Sequence, residues 1–173
     1  MTHLDADSIR RLLTRLGSVA QEQGFRVELA LAGGAAIALL LGLRRTTKDV
    51  DAIILSPQGT GQVREIISEV GGELGLEKGW LNDGMKGFLH GVALGEIVLD
   101  EPGITVRALA PEQLLAMKLT AWRDDVDIED ARALLGLLEG EKDAVWTRVQ
   151  PFLVPGRELK AQYAFEDLWE TRP

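Results

Sequence analysis

Two short groups of residues in this chain could do chemistry together: Gly33-Gly34 and Asp49-Val50-Asp51. On a β-strand, residues i and i+2 project to one face, so Asp49 and Asp51 would stand side by side with Val50 turned to the core. Two adjacent carboxylates repel unless a cation lies between them. Oxygen ligands at that spacing suit a hard divalent ion, Mg2+ or Mn2+, which keeps waters and completes its shell with substrate phosphates. The glycine pair supplies the complementary half. At a helix N-terminus, glycines let backbone N–H groups approach an anion closely, and the helix dipole favours a phosphate there. Each group alone is commonplace, because D-x-D is frequent at strand entries and Gly-Gly is usually a turn. Their succession as strand, glycine pair, helix, turn, D-x-D and strand is far more specific.

Other catalytic chemistries find little support. The chain has no cysteine, which removes thiol nucleophiles, zinc–thiolate sites, Fe–S clusters and disulfides. The four serines (Ser8, Ser18, Ser56 and Ser68) sit in no G-x-S-x-G turn. His3 lies near the terminus, and His90 has no second histidine at metal spacing. The glycine-rich GGELGLEKG stretch follows a helical pattern rather than a strand, so it reads as a connection and not as a phosphate loop.

The elements that must position these residues follow from periodicity. Residues 5–23 place Ile9, Leu12, Leu13, Leu16 and Val19 at three-four spacing, with Asp5 or Asp7 as a cap and Gly24 as a stop. Residues 25–32 alternate as a strand does, and AAIALLLGL then reads as a short buried helix. A strand over 50–55 and an amphipathic helix over 60–74 follow. WLNDG (80–84) reads as a turn, and 88–99 and 104–109 as two strands joined at Glu101-Pro102-Gly103. From Pro111 onward the pattern is helical, over roughly 111–122, 127–138, 142–153 and 157–169. The reading is an α/β (α+β) fold with a mixed sheet flanked by helices. It has a core over 1–109 and a C-terminal helical region over 110–173 packed on that core.

Composition limits the function classes. At 173 residues and 46% apolar content, the chain can bury a core in one domain. Its formal charge of −8 argues against a general DNA or RNA binder, which needs a cationic footprint. Arg44, Arg45 and Lys48 make one local basic patch. The longest apolar run, 29–43, is broken by Gly33, Gly34 and Gly42 and is too short to span a membrane. The N-terminal MTHLDADSIRR carries acids where a secretion signal needs lysines. These features lead us to expect a cytoplasmic protein with no membrane association.

The segment LAGGAAIALLLGLRRTTKDVDAIIL resembles the signature of minimal nucleotidyltransferases in the DNA-polymerase-β-like superfamily. It is most similar to the AbiEii-type, toxin-side branch. The matching positions are Gly33, Gly34, Arg45, Thr47, Asp49 and Asp51, with fourteen residues between Gly34 and Asp49. PEQLLAMKLTAWRDDVDIEDARALL resembles the helical segment of the same branch, at Lys118, Arg123, Asp127 and Asp130. The likeness spans about residues 25–138. It implies transfer of an NMP from Mg-NTP to a hydroxyl acceptor on RNA or protein, as the toxin of a toxin–antitoxin pair with a cognate antitoxin. Asp49 and Asp51 would hold Mg2+ or Mn2+. Gly33, Gly34, Arg45, Thr47, Lys118, Arg123, Asp127 and Asp130 would serve the nucleotide, with Lys118 also counted as catalytic.

The resemblance also implies a third carboxylate on a later strand. Asp83, Glu96 and Asp100 are the candidates, and the likeness favours Asp83 as a catalytic residue. Read from the residues alone, Lys118 lies among Leu114, Leu115, Ala121 and Trp122, where its ammonium either snorkels to water or meets an anion. Asp127 and Asp130 fall where an N-cap and the third helical position would lie, and Arg123 could pair with one of them. The alternative from a different class is a non-catalytic nucleotide-binding or partner-binding module that retains this fold.

Overall fold

The computed structural model describes residues 3–42, 46–56 and 60–172. Its elements are α1 (Ala6–Glu22), β1 (Val27–Leu31), α2 (Gly33–Leu41), β2 (Val50–Ile54), α3 (Thr60–Glu73) and β3 (Leu81–Asn82). A 3-10 turn (Gly84–Phe88) leads to β4 (Leu94–Glu101) and β5 (Ile104–Leu109). Then come α4 (Pro111–Ala121), α5 (Asp125–Leu135), α6 (Lys142–Val149) and α7 (Glu158–Glu170). The chain divides into two compact units, Met1–Lys86 with Leu94–Ala108, and Gly87–Ala93 with Leu109–Pro173. No helix among the described residues is long and apolar enough to cross a membrane.

The first unit carries the mixed sheet, in the order β3-β2-β1-β5-β4. β1 pairs antiparallel with β2 (Leu29 opposite Ile54, Leu31 opposite Ala52) and parallel with β5 (Val27 opposite Ile104, Leu31 opposite Ala108). β1 is thus central and reads as a nearly continuous apolar run, with Val27, Leu29, Ala30 and Leu31 fully buried. α1 begins where Asp5 accepts a hydrogen bond from Ser8 N–H at 2.8 Å, and it buries Ile9, Leu13, Leu16 and Ala20 completely. α2 buries Ala35, Ala36, Ile37 and Ala38, as its almost wholly apolar sequence requires.

The second unit is helical. Leu114, Leu115 and Leu119 of α4, Ala131 and Leu134 of α5, Val145 and Val149 of α6, and Ala161, Phe165 and Leu168 of α7 form its core. The apolar stripe of α7 docks here, with Phe165 packed between Trp146 and Trp169 at centroid distances of 5.0 and 5.6 Å, the rings tilted to one another.

Three readings of the sequence need correction. WLNDG is not simply a turn, since Leu81 and Asn82 form a strand parallel to β2, with Val50 opposite Leu81 and Asp51 opposite Asn82. Two residues cannot display the alternation by which a strand is recognised. Residues 88–93 are not strand, and β4 starts only at Leu94. Segment 87–93 belongs with the helices because the buried Gln113 of α4 grips it. The Gln113 amide donates to Gly91 O at 2.9 Å, and its Oε1 accepts from Ala93 N–H at 2.8 Å. Finally, α5 begins at Asp125 with Asp124 as its N-cap, so Asp127 is not the cap.

Candidate functional site

In the first unit, the site is built from the start of α2, the start of β2 and the short β3. Asp51 is the second residue of β2 and Asp49 directly precedes the strand. Both are half-buried and flank Val50, which is fully buried. The alternation expected of D-x-D therefore holds. Asp51 is also fixed through its backbone, whose carbonyl accepts from Ala32 N–H at 2.9 Å.

The glycines lie against these acids. Gly33 has φ +56°, and a Cβ on it would stand 2.8 Å from Asp51 Oδ2. Both the left-handed backbone and the carboxylate thus demand glycine at this position. A Cβ on Gly34 would come within 3.1 Å of Thr47 Cβ and Oγ1. Thr47 is itself pinned, exchanging backbone hydrogen bonds with Leu4 at 2.8 and 2.9 Å. Its hydroxyl donates to Asp49 O at 3.0 Å. Ala32 at the N-cap of α2 offers no side-chain acceptor, and no acid lies in the first turn. The start of α2 therefore has the partial positive charge of a helix N-terminus, which favours an anion. Gly33→Ala is expected to cost about 1–3 kcal/mol from the left-handed backbone alone, besides displacing the Asp51 carboxylate. Thermal unfolding checks this, and an unchanged Tm would contradict it.

Asn82 completes the group, and no local pattern in the chain singles it out. It stands in register opposite Asp51 on the neighbouring strand, which puts the two side chains on one face. Its Nδ2 donates to Asp49 Oδ2 at 3.2 Å, while its Oδ1 accepts from Gly84 N–H at 3.1 Å. Beside it, between α3 and residues 76–83, lies a cavity of about 480 Å³. Ile54, Ile67 and Trp80 give it apolar walls, and Arg64, Asn82 and Asp83 also line it. That volume lies in the range of small-molecule pockets.

The three candidates for a further acid fare differently. Glu96 and Asp100 lie on β4, three strand spacings from β2, or about 14 Å across the sheet. That is too far to share an ion with Asp49 and Asp51. Asp100 is instead held by Arg26 and by the Thr105 hydroxyl at 2.9 Å. Asp83 is near, but as the successor of Asn82 it lies beyond the end of β3. Its Oδ2 is bound by Arg64 at 2.5 Å and by Lys86 at 2.8 Å. The hydrogen bonds from Lys86 and Arg64 lower its pKa to about 2. Among the described residues, no group of three or more His, Cys, Asp or Glu could hold a metal ion. A divalent ion at Asp49 and Asp51 would therefore take its other ligands from water and phosphate, which suits the chemistry of Mg2+. Arg45 and its neighbour Arg44 lie outside the described residues, and Lys48 is exposed.

The remaining residues that the resemblance singled out form a cluster of their own in the second unit. Lys118 Nζ lies 2.8 Å from Asp127 Oδ1 and 2.9 Å from Asp130 Oδ2. Arg123 binds Asp127 Oδ2 twice, through Nε at 3.0 Å and through its backbone N–H at 3.1 Å. Asp127 and Asp130 are buried, whereas the Arg123 side chain is 73% exposed. Asp127 N–H in turn donates to the capping Asp124 at 3.0 Å. The anion that meets Lys118 is thus a pair of carboxylates on the next helix. Two cations face two anions, and the cluster has no positive charge to spare.

Burial pushes the Asp127 pKa up, but the bonds from Arg123 and Lys118 outweigh it and hold the carboxyl at about 2. A depressed pKa contributes stability that is present above the unfolded value near 4 and is lost as pH falls toward 2. Asp127 should contribute about 2 kcal/mol in that window. Urea unfolding at pH 5 and at pH 2.5 tests this, and an acid loss undiminished in Asp127→Asn would contradict it.

No protein-family model matches this chain, and neither a curated protein nor a solved structure matches it.

Proposed function

We propose that this protein is a metal-dependent nucleotidyltransferase that moves an NMP from an NTP to a hydroxyl acceptor on RNA or protein, releasing pyrophosphate. The observation that carries the reading is that Asn82 stands in register with Asp51 and donates to Asp49, with the Asp51 carboxylate against the glycine start of α2. When bound, Mg2+ or Mn2+ would supply Lewis-acid polarisation of the α-phosphate and charge balance for the leaving pyrophosphate. Asp49 and Asp51 would hold the ion. The first-turn N–H groups of α2, bared by Gly33 and Gly34, would hold the distal phosphates. The cavity beside Asn82 receives the nucleoside. The acceptor oxygen bonds to the α-phosphorus as the bond to pyrophosphate breaks, and the hydroxyl proton leaves to water. We assign Lys118, Arg123, Asp127 and Asp130 to joining α4 and α5, because their charges balance one another.

The test is incubation with labelled NTPs and bulk RNA or protein, comparing wild type with Asp51→Asn. Label transferred by wild type alone supports the reading, and equal incorporation by both removes it. A toxin role under control of a cognate antitoxin would appear as growth arrest on expression, relieved by the same substitution.

A second reading is a module that binds nucleotide without transferring it. The engagement of Asp83 by Arg64 and Lys86 favours it, since no third acid then joins the pair. Calorimetry with ATP, GTP, CTP and UTP plus Mg2+ separates the two, because binding without transfer supports the module.

A further inference from the structure

We propose that Asn82 is the positioning residue of the carboxylate pair: it orients Asp49 through one hydrogen bond and keeps the site at two negative charges rather than three. The inference rests on reading Asp49 and Asp51 as a cation site, but one arm of its test does not.

Asn82 occupies the place from which a third side chain can reach the pair. It lies on the strand next to β2, in register with Asp51, and points to the same face. Its two ends are distinguishable. The oxygen accepts from Gly84 N–H at 3.1 Å, which leaves the NH2 group to face Asp49 Oδ2 at 3.2 Å. A flipped amide would set oxygen against carboxylate and nitrogen against N–H, losing both bonds. One end therefore closes a local turn, while the other, which also reaches Gly79 O at 3.5 Å, restrains a half-buried acid that Thr47 already holds at its backbone carbonyl. An amide here restrains Asp49 without adding charge. Two carboxylates neutralise one divalent ion, whereas a third would raise affinity and favour a second ion.

Asn82→Asp separates the two ends, since it retains an acceptor for Gly84 N–H and turns the donor into an anion facing Asp49. If Asn82 served only the turn, this variant would lose no more than the long bond from Nδ2 to Gly79 O at 3.5 Å, and changing Asp49 as well would restore nothing. We expect instead that its metal-free Tm falls by roughly 2–5 °C. The double variant Asp49→Asn with Asn82→Asp, which reverses the hydrogen bond, should recover most of that loss. An unchanged Tm in the single variant, or a loss that the double variant does not recover, overturns the proposal. The second arm is Mn2+ binding followed by electron paramagnetic resonance. Asn82→Asp should bind Mn2+ about tenfold more tightly than wild type or take up a second ion. Wild-type binding with no gain in the variant overturns the charge assignment. Absence of Mn2+ binding in both proteins would sink the cation-site reading, and the metal-free arm would still decide the role of Asn82.

Discussion

Asp127→Ala is expected to destabilise the helical unit by about 3–5 kcal/mol, the largest stability effect we anticipate from one side chain in this protein. The residue is almost wholly buried, and its two oxygens receive Lys118 Nζ, Arg123 Nε and Arg123 N–H. Truncation leaves the Lys118 ammonium, whose side chain is only 14% exposed, one carboxylate short. Asp130 still holds Lys118 at 2.9 Å, but a buried charge that loses one of two partners, together with the two bonds from Arg123, costs more than those contacts contributed while intact. The bond to the Arg123 backbone, which helps fix the turn between α4 and α5, is lost as well. The contrast lies in Arg123→Ala. That guanidinium is 73% exposed, so its removal should cost no more than about 1 kcal/mol. Chemical denaturation of both variants gives the comparison, and equal effects would show that burial does not govern this cluster. If Lys118 were reserved for phosphate, freeing it should strengthen nucleotide binding. Our assignment predicts no gain.

Asp51→Asn should lower nucleotide transfer by roughly 100-fold or more, because it removes one of two charged ligands from the proposed ion while preserving side-chain shape. The amide keeps the shape of the carboxylate, and the backbone bond from Ala32 N–H to Asp51 O does not involve the side chain. The variant therefore reports on charge, provided that its Tm is measured alongside. A drop in transfer with Tm preserved is the expected result, and transfer within a few-fold of wild type would remove Asp51 from the mechanism.

Much of this architecture is legible in the residues. The three-four spacing of Ile9, Leu13, Leu16 and Ala20, begun by Asp5, gives α1 to within a residue at each end. The apolar stripe of α7 docks as its pattern requires. Asp49 and Asp51 flank a buried Val50, as an i, i+2 pair entering a strand should. What escaped the sequence reading depends on contacts between distant segments. β3 has only two residues and exists because β2 offers it an edge, so Asn82 became visible only once Asp51 was seen opposite it. Segment 87–93 follows the helices because one buried glutamine, twenty residues away from Ala93, satisfies its backbone. For Lys118, local spacing showed that an anion or a route to water was needed, but not that Asp127 and Asp130 supply the anion. Acids on β4 resemble those near β2 in every local respect, and the strand order alone separates them.

The central claim is that the acids at 49 and 51 and the glycine start of α2 form one site for a divalent ion and its phosphates. The most direct measurement is an anomalous difference map from crystals grown with Mn2+ and a non-hydrolysable NTP. We predict a manganese peak bridging Asp49 and Asp51, with the distal phosphates at the N–H groups of Gly33 and Gly34. A nucleotide seated elsewhere, with no manganese between these two carboxylates, would contradict it.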